Sequence, residues 1–331
     1  MKSFRTPLSP IESEISIDHQ TKILSIGSCF AARIGERLAQ KKFNTLLNPF
    51  GILYNPVSIC KALNRLDKKV LSQPVDLFEH LEQWHSFDHH SDFSALEQKA
   101  SLDHINEVIT EGHSFLKKTS VLIITLGTAN VFWHKKNEQV VANCHKLPNT
   151  DFERKSLTVE AIVNDFEKLF QQLLQQQTEL KIILTVSPVR HIRDGLIENQ
   201  RSKAKLLLAT EALCQKFESV IYFPAYELLL DDLRDYRFYD NDMIHPNETA
   251  VDYIWDFFQD TFFSENTKAL NQKIDQVVSA SLHRPFNPSS LQHQAFVNNQ
   301  LEKIRVLEEE FSFLSFEKEI GMFREQLKIR N

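Results

Sequence analysis

The chain has 331 residues, 42% of them hydrophobic and 25% charged, proportions that allow a sizeable buried core and argue against disorder. A net charge of -6 and a pI near 6.1 exclude the clustered basic surface that phosphate backbones require, so no nucleic-acid partner is expected. Nothing approaches the roughly 18 consecutive apolar residues of a membrane span, so no membrane partner is expected either.

The first twenty residues, MKSFRTPLSPIESEISIDHQ, lack an apolar core and carry acids, which rules out an ordinary secretory signal and makes the cytoplasm the expected location. Residues 22–26, KILSI, form a short apolar run closed by Gly27-Ser28, and residues 29–43 then carry apolar side chains at helical spacing. The pattern predicts a strand, a tight turn and a helix. Residues 50–120 are less regular, and the aromatic, His-rich stretch at 84–93, WHSFDHHSDF, reads as an insertion near the same edge. A β-branched strand follows at Val121–Leu126 and stops at Gly127. A helical pattern over Val159–Gln176 leads to a third strand, Lys181–Val186, closed by Ser187-Pro188. Another at 199–217 leads to a fourth strand, Val220–Phe223, closed by Pro224, and a further helix is predicted at 248–258.

Wholly apolar strands alternating with helices predict an α/β fold with a parallel sheet covered on both faces. Ligands of such sheets bind outside the carboxyl ends of the strands. Beyond Phe263 the pattern turns to charged helices, with Leu, Ile and Phe at helical spacing over 299–329. Residues 1–263 therefore read as the catalytic domain and 264–331 as a helical appendage, serving either a homodimer or cover for the main core.

Two segments carry chemistry. Ser28, between a buried strand and the first turn of a helix, either caps that helix or exposes a hydroxyl beside free N–H donors. Residues 239–246, YDNDMIHP, place Asp242 three positions before His245, close enough for the carboxylate to orient the imidazole. Such a pair supplies the base that a serine nucleophile lacks. Cys29 at the same helix start is expected beneath the turn rather than as the nucleophile. The cysteines Cys29, Cys60, Cys144 and Cys214 have no CxxC spacing and read as free thiols in a reducing compartment. His85, Asp88, His89 and His90 offer ligand types but no metal-binding spacing, so no metal or other cofactor is assigned. His145 and Arg190 are expected to line a polar substrate pocket.

The string Gly27-Ser28-Cys29-Phe30-Ala31 resembles the namesake motif of the GSCFA family within the SGNH/GDSL hydrolase superfamily. Further segments resemble the same family in the same order: NPFGILYNP from Asn48, TLGTANVF from Thr125, NCHKLP from Asn143, SPVRH from Ser187 and RDYRFYDNDMIHP ending at Pro246. The resemblance implies a three-layer α/β/α fold, a nucleophile at Ser28, His245 as base and Asp242 orienting it. It also implies an oxyanion hole drawn from Ser28, Gly51 and Asn130, although Gly127-Thr128-Ala129-Asn130 is one residue longer than the usual Gly-x-Asn block. The expected activity is that of an esterase on a carbohydrate or small-molecule acyl ester. An O-acyltransferase with the same triad and a non-catalytic binding module are the alternatives.

Overall fold

The computed structural model describes residues 5–9, 11–288 and 290–328. In chain order the elements are β1 (Ile23–Gly27), α1 (Cys29–Gln40), β2 (Thr45–Leu47), α2 (Pro56–Lys68), β3 (Leu77–His80), β4 (Gln83–Ser86), α3 (Gln98–Leu116) and β5 (Val121–Leu126). They continue with β6 (Asn130–His134), β7 (Gln139–Val141), β8 (Phe152–Ser156), α4 (Val159–Gln176), β9 (Lys181–Val186), α5 (Leu196–Lys216), β10 (Val220–Phe223) and the short α6 (Ala225–Glu227). The last helices are α7 (Glu248–Phe262), α8 (Glu265–Leu282), α9 (Leu291–Glu310) and α10 (Glu317–Lys328).

The four predicted strands form the middle and one edge of a parallel sheet of order β10-β9-β5-β1-β2. Their side chains alternate between two cores because successive strand residues point to opposite faces. Leu24, Ile26, Leu122, Ile124, Ile182 and Leu184 face α2 to α5, while Ile23, Val121, Ile123 and Ile183 face α1 and α7. This is the three-layer α/β/α arrangement. From β1 the chain moves outward to β2, then returns to the other side of β1 as β5. The crevice between the carboxyl ends of β1 and β5 is therefore the topological switch point, where ligands of open α/β sheets bind.

The structure corrects the reading of residues 50–120. They include two core helices, α2 with Ile59, Leu63 and Leu66 buried and α3 with Ile105, Ile109 and Leu116 buried. Asn55 starts α2 by accepting the Ser58 N–H at 2.9 Å, and Pro56 takes the first helical position, where no donor is needed. The His-rich stretch itself lies in the β3–β4 hairpin and the turn after it. A three-stranded antiparallel sheet, β7-β6-β8, follows β5. Phe87, Val141 and Phe152 form a small shared core there.

Helices α8 to α10 enclose a separate core of Ile274, Val277, Val297, Ile304, Phe316 and Phe323. The bundle docks on α1 through charge: Lys41 bonds Asp275 at 2.5 Å, and Lys42 bonds both oxygens of Glu319. The helical pattern at 299–329 is divided between α9 and α10 by a turn near Phe311–Ser315, and its last residue lies outside the described residues. Among the described residues no helix is long and apolar enough to cross a membrane.

Candidate active site

The elbow after β1 is shaped by Gly27. Its φ of +145° is one that residues with a side chain rarely adopt, and a methyl group there would lie 2.2 Å from the Thr125 carbonyl oxygen. The Gly27 N–H donates to Asn48 Oδ1 at 2.8 Å, and its carbonyl accepts from the Leu53 N–H at 2.9 Å. Both faces of the turn are thus tied to the segment after β2.

Ser28 follows as the residue preceding α1, yet its side chain makes no capping hydrogen bond. Its Oγ is buried, with the residue 1% exposed, and has no hydrogen-bond partner. The structure thus differs from both roles open to Ser28 from the sequence: the hydroxyl caps nothing, and it is buried rather than exposed. A buried hydroxyl left unpaired costs stability, and such groups in native folds call for an explanation.

His245 Nδ1 lies 2.6 Å from Asp242 Oδ2. Asp242 Oδ1 accepts the N–H groups of Ile244 at 2.8 Å and His245 at 3.0 Å. These bonds, the His245 N–H first, hold the carboxyl at about 2, well below its ordinary value. Asn247 braces the loop, with Nδ2 donating to the Arg237 carbonyl at 2.7 Å and Oδ1 capping α7 through the Ala250 N–H at 3.1 Å. Arg190, just past β9, anchors the same loop. Its N–H donates to the Ile244 carbonyl and its Nη1 to the Met243 carbonyl, each at 3.2 Å, while its guanidinium lies 4.2 Å from the Tyr239 ring centroid. The His245 loop is in this way fastened to the carboxyl edge of the sheet that carries Ser28. No hydrogen bond joins Ser28 to His245 in this structure.

The expected oxyanion donors are all engaged. The Ser28 N–H extends the β1–β5 ladder to the Thr125 carbonyl at 3.1 Å, and the Gly51 N–H donates to the Asn48 carbonyl at 2.7 Å. Asn130 Nδ2 points to Asp194 Oδ2 at 3.4 Å. Gly51 is required for a different reason than the one expected: its φ is +73°, and a side chain there would meet His90 Cβ at 2.2 Å.

The family profile described as the GSCFA family matches residues 22–258, from β1 through most of α7. The chain belongs to the GSCFA family. A second profile, the GSCFA domain protein C-terminal domain, matches residues 274–329. No curated protein matches the chain. Among solved structures, a Parabacteroides merdae protein described as a GDSL-like lipase is 14% identical, with a TM-score of 0.40 over 75% of this chain and 98% of its own. A Streptococcus pneumonia protein described as a platelet activating factor is 12% identical, at 0.39 over 75% and 86%. A carbohydrate esterase family 3 protein from Talaromyces cellulolyticus is 8% identical, at 0.34 over 78% and 99%. Likenesses this distant carry no argument about activity.

In this GSCFA protein the residues expected to line the pocket have other placements. His145 is buried, its Nε2 2.7 Å from the Ser86 carbonyl and its ring 4.6 Å from that of His85, so it packs rather than faces a pocket. Arg190 holds the His245 loop. His89 stacks on Phe50 with its Nδ1 2.8 Å from Ser86 Oγ, and Asp88 pairs with Lys61 and Arg65. Among the described residues no group of three His, Cys, Asp or Glu side chains is placed to hold a metal. Cys29 is half-buried, and burial pushes its thiol up against the opposing pull of Lys203.

Sequence reasoning missed the polar start of α5. Asn199 accepts the His191 N–H at 2.8 Å, and Ser202 Oγ accepts the Ala129 N–H at 2.7 Å. Lys203 Nζ donates to the carbonyls of Gly127 at 2.7 Å and Ser187 at 2.6 Å. The signal was present: positions 199, 202, 203, 206, 209, 210 and 213 form one buried stripe, and its first three members are polar.

Proposed function

We propose that this protein is a serine esterase in which Ser28 is the nucleophile, His245 the general base and Asp242 the residue that orients it. The observation that carries the reading is the buried, unpartnered Ser28 hydroxyl at the switch point of a sheet whose carboxyl edge also holds a hydrogen-bonded Asp-His pair. Ser28 Oγ attacks an ester carbonyl carbon, its proton passes to His245 Nε2, and the carbonyl π pair moves onto oxygen. Collapse expels the alcohol, which takes the proton from His245 and leaves an acyl-Ser28. Water then releases the acid, while a second alcohol in its place makes the same machinery an acyltransferase. Ser28 and His245 share no hydrogen bond in this structure, and catalytic hydrogen bonds often form only when substrate binds. The Ser28 and Gly51 N–H groups can serve the oxyanion only if substrate draws them from Thr125 and Asn48, which places the demand on nearby donors. Polar groups at the edge, Asn130 and His191 among them, favour a small polar or carbohydrate ester over a long acyl lipid.

The test is labelling by a fluorophosphonate probe, with the modified residue located by peptide mass spectrometry. Loss of labelling in Ser28→Ala and His245→Ala, but not in Cys29→Ala, is the expected result. A folded wild type that takes no label at Ser28 would turn the assignment toward a binding module.

A further inference from the structure

Lys203 is 1% exposed, and among the described residues no carboxylate pairs with it. A buried ammonium without a counter-ion is costly, and carbonyl dipoles offset only part of that cost. Burial pushes its amine down to about 7. A methionine would fill the same space without that cost, so the charge itself calls for a use.

Its position supplies one. The two carbonyls it holds belong to the residues that follow β5, which borders the candidate site, and β9, the next strand in the sheet. Gly127 packs directly on the elbow: a methyl group on its α-carbon would lie 3.3 Å from Ser28 Cβ. The charge of Lys203 is also felt at the Cys29 thiol, where it works against burial. In this structure the N–H groups of Ser28 and Gly51 are bonded elsewhere. The negative charge that grows on an attacked ester must therefore be met by other groups at the elbow.

We propose that Lys203 is a positioning residue for Ser28 chemistry: by holding Gly127 and Ser187 from beneath, it fixes the floor of the site and sets a positive potential at the Ser28-Cys29 elbow. The inference rests on the esterase reading for its role in catalysis, but the potential itself is a property of the fold. It does not touch substrate. While the amine carries its proton, its charge in a water-poor site acts over a longer range than in solvent and needs no reorganisation during the reaction.

The experiment compares wild type, Lys203→Met and Lys203→Arg in the full chain by two readouts. The first is the rate of Cys29 alkylation by iodoacetamide at about pH 6, where the Lys203 amine carries its proton, followed on the Cys29 peptide. The second is the rate of fluorophosphonate labelling at Ser28 at the same pH. K203M is expected to slow Cys29 alkylation by about tenfold and to slow Ser28 labelling by about tenfold or more. K203R is expected to recover most of both losses. An unchanged Cys29 rate in folded K203M overturns the proposal, as does a labelling loss that only tracks the unfolded fraction. If wild type takes no label at Ser28, the esterase reading fails and the Cys29 rate still decides the potential. Should K203M not fold, NMR of 13C-labelled lysine in the wild type decides instead: Lys203 must be protonated at the pH of fastest Ser28 labelling, and a neutral amine there overturns the proposal.

Discussion

Lys42 Nζ lies 2.8 and 2.7 Å from the two carboxylate oxygens of Glu319, joining the chain just past the end of α1 to the last helix of the C-terminal bundle. Both side chains are largely buried, and the ammonium also lies 5.2 Å from the Phe316 ring centroid. Removing one partner leaves the other charge buried and unpaired. Glu319→Gln or Lys42→Met is therefore expected to cost about 3–5 kcal/mol in denaturant unfolding. The double replacement Lys42→Met with Glu319→Leu should recover most of that loss. Additive losses in the double variant would show that the two charges do not act as a pair.

Asp242 stays ionised down to about pH 2, because the His245 and Ile244 N–H groups and the imidazole all favour its charged form. Its titration cannot supply an acid limb to activity between pH 4 and 7. Asp242→Asn should keep the loop folded yet lower the Ser28 labelling rate by about a thousandfold or more. A variant that labels at the wild-type rate would remove Asp242 from the mechanism.

His89 and His145 make stability depend on pH. Burial lowers both, to about 3 and about 4, from an ordinary value of 6.5. Between those values and 6.5 the unfolded chain binds protons that the folded chain does not, so stability falls as pH drops below 6.5 and levels off above it. Each group contributes a slope of up to about 1.4 kcal/mol per pH unit. Urea titrations from pH 8 to 5 should show this, and His89→Asn should make the profile shallower. A flat wild-type profile over that range would mean that both imidazoles reach solvent.

Asn48 is expected to act as a brace for the elbow, since its Oδ1 is bonded to the Gly27 N–H and its carbonyl to the Gly51 N–H. Its φ of +41° suits Asn or Asp better than most residues. Asn48→Asp should keep the acceptor and leave stability little changed. Asn48→Leu should lose about 1–3 kcal/mol and slow labelling at Ser28. Equal behaviour of the two in thermal unfolding would show that the Gly27 bond contributes nothing.

What could be read before the structure depended on how strongly each segment repeats its pattern. The strand at Val121–Leu126 is buried at every position and apolar at all but Thr125 because helices cover both faces, and Lys181–Val186 repeats the pattern with Thr185 and a half-buried Lys181 at its start. Such runs are legible without context. Strand β2 is three half-buried residues at the sheet edge, too short to show a period. Helix α3 was hidden because its buried stripe includes Ser101, which bonds the Phe93 carbonyl, and Gly112, whose small size admits Leu66 of α2. At the candidate site, Ser28, Asp242 and His245 could be proposed because each lies in a segment that resembles a family motif; the spacing of Asp242 and His245 alone would not have singled them out. Lys203 could not be proposed, because its partners are backbone carbonyls from two other loops. The same holds for Gly51: the sequence shows a glycine, while only the packing shows that His90 demands it.

The position of β1 in the sheet has a consequence for the time at which the chain becomes competent. The strand and its elbow are synthesised well before their neighbours in the fold: β1 is flanked by β5 and covered by α7, and His245 lies 217 positions after Ser28. At about 5–20 residues per second, that interval takes a ribosome roughly 10–40 s. For all of that time Ser28 is outside the tunnel or nearing its exit without the elements that bury it. Under the proposed mechanism a nascent chain that carries the hydroxyl is thus chemically silent, and reactivity switches on only when the far side of the sheet arrives.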